Sequence, residues 1–371
     1  MIDTLDFYKK LVSSGFDFFA GVPDSLLKNF CACVTENTPK TNNIITANEG
    51  NALAMCAGYY LSTGKYGVTY MQNSGEGNIV NPLLSLVDEK VYSIPVLLVI
   101  GWRGEPGVHD EPQHVKQGEI TLDLLDTMGV SYRVLDDDVD ASIESAKKAL
   151  SASRPYAFIV KKGIFSEYKL NKIKSTLPLK REDALKIILS KLSEKDFIVS
   201  TTGKTSREIF EIREARKQDH GNDFLTVGSM GHTASIAYGM ALGTKSNVYC
   251  IDGDGSFIMH MGSMAVIGTN PLPNFKYILN DNNAHESVGG QPTCSGGLDI
   301  PQILKGFGFE NILTASNESE LVEAMEELCK KEKVALIVRT AQGSRDDLGR
   351  PTTTPIENKK AIMSKLKAER R

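Results

Sequence analysis

This 371-residue chain has no apolar run long enough to cross a bilayer; the longest, Ile94 to Ile100, is short and contains Pro95. It has no basic excess either, since 42 Lys and Arg against 46 Asp and Glu leave a formal net charge of -4. That balance lacks the field that gathers phosphate backbones, so nucleic acid is not expected as a partner. Cysteine is sparse, at positions 31, 33, 56, 250, 294 and 329, with no C-x-x-C pair. A disulfide framework is excluded, structural zinc is disfavoured, and all six are expected to be small buried hydrophobes. The N-terminal Met1-Ile2-Asp3-Thr4 has no apolar stretch of the signal-peptide kind, so a cytoplasmic chain with no membrane partner is expected. What is there is ordinary: 41% hydrophobic and 24% charged residues, which rules out disorder, collagen and coiled coil.

At roughly 150 residues per domain, the length suits two or three domains. Segments rich in β-branched residues alternate with helical patterns throughout, as in parallel sheets covered by helices on both faces. The expected fold class is therefore α/β. Two domains, 1–165 and 181–371, are expected on either side of an exposed, charged linker at 166–180 that contains Pro178. The halves are weakly alike: a shift of 181 positions superposes Gly50 on Gly231, Gly58 on Gly239, Leu61 on Leu242 and Thr63 on Thr244, and pairs Glu49 with Met230. In each half a Gly-rich helix precedes a strand (67–71 and 248–251) and then a glycine loop, which favours two copies of one architecture.

The second glycine loop is the most informative. Val248 to Ile251 reads as a buried strand, Asp252-Gly253-Asp254-Gly255-Ser256 as the turn leaving it, Phe257 to Gly268 as a helix, and Phe275 to Leu279 as the next strand. A right-handed crossover makes the strands parallel and brings their carboxyl ends to one edge, where open α/β sheets bind ligands. Asp254 leaves the first strand and Asn282 the second, so both side chains can reach one point. A carboxylate beside a neutral amide oxygen suits Mg²⁺, completed by phosphate oxygens and water. Gly253 and Gly255 let backbone amides approach a phosphate, and the helix beginning near Ser256 adds its positive end. Other nucleotide and metal motifs fit less well. Gly203-Lys204-Thr205 lacks the P-loop glycine, since position 198 is Ile; Gly253-Asp254-Gly255 lacks the third glycine of a dinucleotide fingerprint; His109 and His114 lack H-E-x-x-H spacing.

Gly253-Asp254-Gly255 followed by Asn282-Asn283 resembles the motif of enzymes that bind thiamine diphosphate through Mg²⁺. The resemblance implies that Asp254, Asn282 and the carbonyl of Ala284 hold the metal; the run Asn280-Asp281-Asn282-Asn283 leaves Asn283 as a competing ligand. It also implies a carboxyl group against the cofactor's pyrimidine. Glu49 is the candidate, at the head of a helix (50–61) that follows a short strand (43–46). The competing account of Glu49 is an exposed acid stabilising that helix N-terminus. Thr202, Gly203, Ser206 and Gly228 would flank the diphosphate. Met230 would be the apolar prop that bends the cofactor, with ordinary core packing as its competing role.

The strings Gly21-Val22-Pro23-Asp24-Ser25-Leu26, Gln72-Asn73-Ser74-Gly75-Glu76-Gly77-Asn78, Gly101-Trp102-Arg103-Gly104-Glu105-Pro106 and Asp110-Glu111-Pro112-Gln113-His114 sharpen the resemblance, together with Thr201 to Arg207 and His285 to Gln291. They are similar to the phosphonopyruvate decarboxylase family, which implies a pyrimidine-type and a diphosphate-type domain with no central third domain. The implied reaction is loss of CO₂ from 3-phosphonopyruvate to give phosphonoacetaldehyde, a step of phosphonate biosynthesis. Asp24 and His114 are candidates for proton handling beside Glu49. Arg103, Lys204 and Arg207, with His109, are candidates for holding the substrate, each against the competing account of a surface charge. Sulfopyruvate decarboxylase, another 2-oxoacid decarboxylase or a synthase are the alternatives within the family; a non-catalytic cofactor-binding subunit is the alternative outside it. Active sites in this family lie between subunits, so a homo-oligomer acting on a small 2-oxoacid is expected.

Overall fold

The structure is a computed structural model that describes residues 1–171 and 175–369. The chain divides into two compact units, residues 1–172 with 285–292 and residues 173–284 with 293–371. The first contains α1 (Thr4–Ser13), β1 (Phe18–Gly21), α2 (Lys28–Asn37), β2 (Asn43–Ile45), α3 (Glu49–Thr63), β3 (Gly67–Gln72), α4 (Glu76–Pro82), β4 (Val96–Gly101), α5 (Pro112–Thr127), β5 (Ser131–Val134), α6 (Val139–Ser151) and β6 (Tyr156–Val160). Its strands are parallel, in the order β2-β1-β3-β4-β6-β5.

The second unit begins with α7 (Arg181–Lys191), β7 (Phe197–Ser200), α8 (Lys204–Ala215), β8 (Asp223–Leu225), α9 (Thr233–Ala241), β9 (Val248–Gly253), α10 (Asp254–Met259), α11 (Gly262–Thr269) and β10 (Phe275–Asp281). After the short strands β11 (Ala284–His285) and β12 (Gln291–Pro292) come α12 (Ile300–Gly306), β13 (Asn311–Ala315), α13 (Glu318–Lys330), β14 (Val334–Arg339) and α14 (Pro355–Glu369). The second sheet is parallel, in the order β13-β14-β10-β9-β7-β8. Read from its other edge, that order repeats the first sheet strand for strand.

Strands paired on both sides must present apolar groups to both faces, and these do. In β4, Leu97 and Val99 enter a core with Phe7 of α1, Phe30 of α2 and Ile143 of α6, whereas Leu98 and Ile100 enter a core with Leu53 of α3 and Ile79 of α4. In β14, Val334, Leu336 and Val338 join Leu185, Ile209 and Leu328, while Ala335 and Ile337 join Ala237, Ile267 and Leu304. Each unit therefore carries its own two-faced core.

The structure departs from the sequence expectation at several places. β9 continues through Asp252 and Gly253, because these pair with Leu279 and Asn280 of β10; the ladder overrides the turn preference of Asp and Gly. The helix then starts at Asp254 rather than 257, and it breaks at His260 into α10 and α11. Residues 172–174 of the expected linker lie outside the described residues. The flanking stretches are not simply exposed: Tyr168 accepts a hydrogen bond from Asn37 Nδ2 (2.8 Å), and Leu179 is buried in the second core. Cys31, Cys33, Cys56 and Cys250 are buried, but Cys294 is exposed and Cys329 half-buried, so the expectation for the cysteines fails at those two. No helix among the described residues is long and apolar enough to cross a membrane.

Candidate active site

β1, β3 and β4 are neighbours in the first sheet, so the residues just beyond Gly21, Gln72 and Gly101 share one edge. Asp24 is fully buried there. Its Oδ1 accepts from Gln72 Nε2 (2.6 Å), and its Oδ2 from the backbone N–H of Leu26 (3.0 Å) and Leu27 (3.3 Å). Burial raises its pKa, against the pull of those donors and of Arg103. A Cβ on Gly101 would lie 2.2 Å from Asp24 Oδ2, so the missing side chain at 101 makes the room for this carboxylate.

Glu49 opens α3 behind the N-cap Asn48, whose Oδ1 accepts from Asn51 N–H (3.0 Å). It is 5% exposed, which removes the account of a solvated helix-end acid. Asn78 Nδ2 donates to its Oε2 (2.6 Å), burial raises its pKa, and a Cβ on Gly75 would stand 2.5 Å from its Oε1. The loop leaving β3 thus wraps the carboxyl group with glycine on one side and an amide on the other.

Arg103 is tied down on the same edge. Its guanidinium takes the Asp110 carboxylate bidentately, with Nε donating to Oδ2 (2.7 Å), while Nη1 donates to Ser25 Oγ (2.7 Å). His114, on α5, is buried; desolvation and the Arg103 charge hold its pKa near 4, so its ring is uncharged at neutral pH. Its Nδ1 has no hydrogen-bond partner. His109 is exposed on the loop before α5.

In the second unit, Asp254 stands at the tip of β9 and Asn282 at the tip of the adjacent β10. Asp254 is 3% exposed, and burial, with the nearby Asp281 charge, pushes its carboxyl up to about 7. Thr293 and Ser295 donate to its Oδ2, and Ser295 Oγ also lies 2.7 Å from Asp281 Oδ1. The other Asp281 oxygen is buried without a hydrogen-bond partner among the described residues, 3.7 Å from Arg339 Nη1. Asn282 Oδ1 accepts from Ala284 N–H (3.1 Å). Asn283 lies in the left-handed region (φ 56), and its amide oxygen accepts from Gly296 N–H (3.1 Å) and the Ser295 hydroxyl (3.2 Å). That oxygen is spent on the 293–296 turn, which weakens Asn283 as a competing ligand.

These residues fit a hard cation. Two buried carboxyl groups stand close together, one oxygen is orphaned among the described residues, and the Asn282 amide supplies a further oxygen, donors that Mg²⁺ takes. No group of three His, Cys, Asp or Glu able to hold a metal occurs among the described residues, consistent with a mixed carboxylate, amide and carbonyl set. Gly253 fits a bound diphosphate: a Cβ there would meet nothing nearer than Thr201 Cγ2 at 3.7 Å, so the chain's own packing does not require the glycine. Gly255 lies within α10, and Gly228 is half-buried before the turn that carries Met230. Ser256 Oγ accepts from Gly231 N–H (3.1 Å), anchoring that turn. Met230 is half-exposed and outside the cores, which removes core packing as its role.

Ser206 is buried with its hydroxyl against Thr201 O (2.8 Å) and Ser200 Oγ (2.7 Å), so it ties β7 to α8 rather than facing a ligand, contrary to the expectation. Thr202 Oγ1 donates to Val227 O (2.8 Å), and Gly203 caps α8 at φ 98. Lys204 Nζ donates to Ser344 Oγ (2.7 Å); Arg207 is half-buried, its pKa lowered by desolvation. The contributions of Gln72, Asn78, Asp281, Thr293 and Ser295 had no local sequence signal, because each acts through a contact made by the folded chain.

Two family models match the chain: the N-terminal thiamine pyrophosphate (TPP) binding domain over residues 6–127 and the C-terminal TPP binding domain over 201–338. The phosphonopyruvate decarboxylase of Streptomyces viridochromogenes is 34% identical, the match covering 96% of this chain and 93% of that one. The chain belongs to the phosphonopyruvate decarboxylase family of thiamine pyrophosphate enzymes. Another family member, from Streptomyces hygroscopicus, is 32% identical over 96% of this chain and 92% of its own. The sulfopyruvate decarboxylase of Methanosarcina acetivorans is more distant, 27% identical over 84% of each chain. The family's two domains correspond to the two six-stranded sheets, with no third domain, and make the chain a thiamine diphosphate-dependent carboxy-lyase.

Proposed function

We propose that this enzyme decarboxylates 3-phosphonopyruvate to phosphonoacetaldehyde and CO₂, with Mg²⁺ anchoring its cofactor. The observation that carries the substrate is the end-to-end similarity to two chains named phosphonopyruvate decarboxylase. Thiamine diphosphate, when bound, supplies the carbanion and electron sink that loss of CO₂ from a 2-oxoacid requires. Asp254, Asn282 and the Ala284 carbonyl would hold the Mg²⁺, Gly253 and Thr202 would lie along the diphosphate, and Met230 would prop the cofactor. Glu49 exchanges the proton at the cofactor's pyrimidine, from a buried position that favours its neutral form. Asp24, its pKa likewise raised, would supply a proton, and His114, uncharged at neutral pH, would assist it in handling that proton. Arg103 holds the phosphonate. We place the enzyme in the cytoplasm as a homo-oligomer with active sites between subunits, which light scattering on the purified protein tests.

A second reading, sulfopyruvate decarboxylation, is favoured by the more distant relative alone. Rates on 3-phosphonopyruvate, sulfopyruvate and pyruvate separate the two; a higher kcat/KM for sulfopyruvate would reverse the assignment. Glu49→Gln is expected to bind cofactor normally and lose turnover by about 100-fold or more. Near-normal CO₂ release from that variant would remove Glu49 from the chemistry.

A further inference from the structure

A guanidinium offers two flat edges to an oxyanion, and the structure accounts for only one of them at Arg103. The side edge, Nε with Nη2, is closed by Asp110. Asp110 is itself fixed: its oxygens also accept from the N–H of Gly104 (2.9 Å) and of Glu111 (2.8 Å), and its pKa is held down at about 2. Away from that edge, on the end edge of Nη1 with Nη2, Nη1 donates to the Ser25 hydroxyl oxygen (2.7 Å). Each terminal nitrogen carries two protons, so one on Nη1 and one on Nη2 have no protein acceptor among the described residues. Ser25 follows Asp24, and its hydroxyl donates over 3.4 Å to Asp24 Oδ1, a long bond that a closer acceptor can replace.

Beside the buried Asp24 carboxyl there are therefore two guanidinium protons without a protein acceptor among the described residues and one hydroxyl proton held by a long bond to Asp24. A tetrahedral oxyanion matches that set, since Arg binds phosphate-like groups through paired N–H donors. The pairing with Asp110 leaves the seat close to neutral overall, so it reads the anion by hydrogen-bond geometry more than by charge.

Building on the substrate assignment above, we propose that Ser25 and the end edge of Arg103 form the seat for the oxyanion on carbon 3 of the substrate, and that Asp110 is the positioning residue that aims the guanidinium at it. Ser25 touches the substrate; Asp110 acts only through Arg103. Neither matters for a 2-oxoacid with no anion on carbon 3.

The test is steady-state kinetics of the cofactor-loaded, full-length enzyme with 3-phosphonopyruvate and with pyruvate, for Ser25→Ala, Ser25→Thr and Asp110→Asn. Losing a hydrogen bond to a charged group should raise KM for 3-phosphonopyruvate on the order of tenfold in Ser25→Ala and in Asp110→Asn, with kcat within a few-fold. KM for pyruvate should not move, and Ser25→Thr should restore KM because it keeps the hydroxyl. A fall in KM for Asp110→Asn would mean that Asp110 competes with the substrate instead of aiming its receptor, and would overturn the proposal. An equal loss on both substrates would reduce these residues to scaffolding and overturn it too. Should Asp110→Asn fail to fold, the Ser25 pair carries the test. Should the wild type fail to turn over 3-phosphonopyruvate, the substrate assignment falls by itself; the seat is then read by competitive inhibition with inorganic phosphate, which must weaken about tenfold in Ser25→Ala for the proposal to stand.

Discussion

The carboxyl groups of Asp24 and Glu49 occupy space that two glycines leave open, and this makes their placement sensitive to a single methyl group. An alanine at 75 would set its Cβ 2.5 Å from the Cγ and Oε1 of Glu49, so the carboxyl must move. Gly75→Ala is expected to fold, by circular dichroism, and to lose turnover on the order of 100-fold, because displacement by about an ångström is enough to misalign a proton transfer. The neighbouring Glu76 behaves differently. It is 2% exposed, with Oε1 lacking a partner, and burial pushes its pKa from 4.5 to about 8. The folded state holds its proton more tightly than the unfolded chain does. Glu76 therefore costs nothing below pH 4.5 and progressively more as pH rises toward 8, where the buried group must ionise. Glu76→Gln should match the wild type in urea denaturation at the acid end of that window and exceed it, on the order of a few kcal/mol, at the alkaline end. Equal stabilities at both ends would mean that Glu76 is already solvated. Nothing in the string Ser-Gly-Glu-Gly-Asn marks Glu76 as buried; its environment comes from α5, far along the chain.

At the scale of elements, α7 and α8 are joined by a buried ion pair. Arg181 donates through Nε to Glu208 Oε2 (2.7 Å) and through Nη2 to Oε1 (2.8 Å), with the side chains 4% and 1% exposed. Removing one partner strands the other charge, so Glu208→Ala should lower stability by about 3–5 kcal/mol. Replacing both residues by apolar ones of similar size should recover much of that loss, a contrast that chemical denaturation measures. The β9–α–β10 crossover was legible in the sequence, since its strands are continuous apolar runs and its topology has one allowed hand. Their ends were not. Asp252 and Gly253 look like a turn by themselves and become strand only because Leu279 and Asn280 are there to pair with them. The break at His260 had only Gly262, two residues on, to announce it.

Over the whole molecule, the α/β class and the doubling of one architecture could be read from the alternation of patterns and the 181-residue shift, because a parallel sheet imposes its rhythm on every strand. The partners of the strand-tip carboxyl groups could not, since Thr293 and Ser295 reach Asp254 from about forty positions away. Burial pushes the Asp254 carboxyl up to about 7, and a cation bound beside it would favour its ionised form. Ligands that bind only the folded state add stability, about 2.7 kcal/mol at a hundred times Kd. Mg²⁺ with thiamine diphosphate should therefore raise the calorimetric Tm, EDTA should reverse the rise, and Asp254→Ala should abolish it; an equal rise in that variant would remove the ion from β9.

The shared strand order has one more consequence. β3 ends at Gln72 where β9 ends at Gly253, so the shift that pairs Glu49 with Met230 also sets Asn73 in the place of Asp254. Asn73 is spent on fastening, its amide bonded to the Arg103 carbonyl (2.8 Å) and Thr121 (2.9 Å), while Asp254 retains a titratable carboxyl group. Duplicated scaffolds allow such a division of labour: equivalent strand tips carry a fastening amide in one copy and an acid in the other.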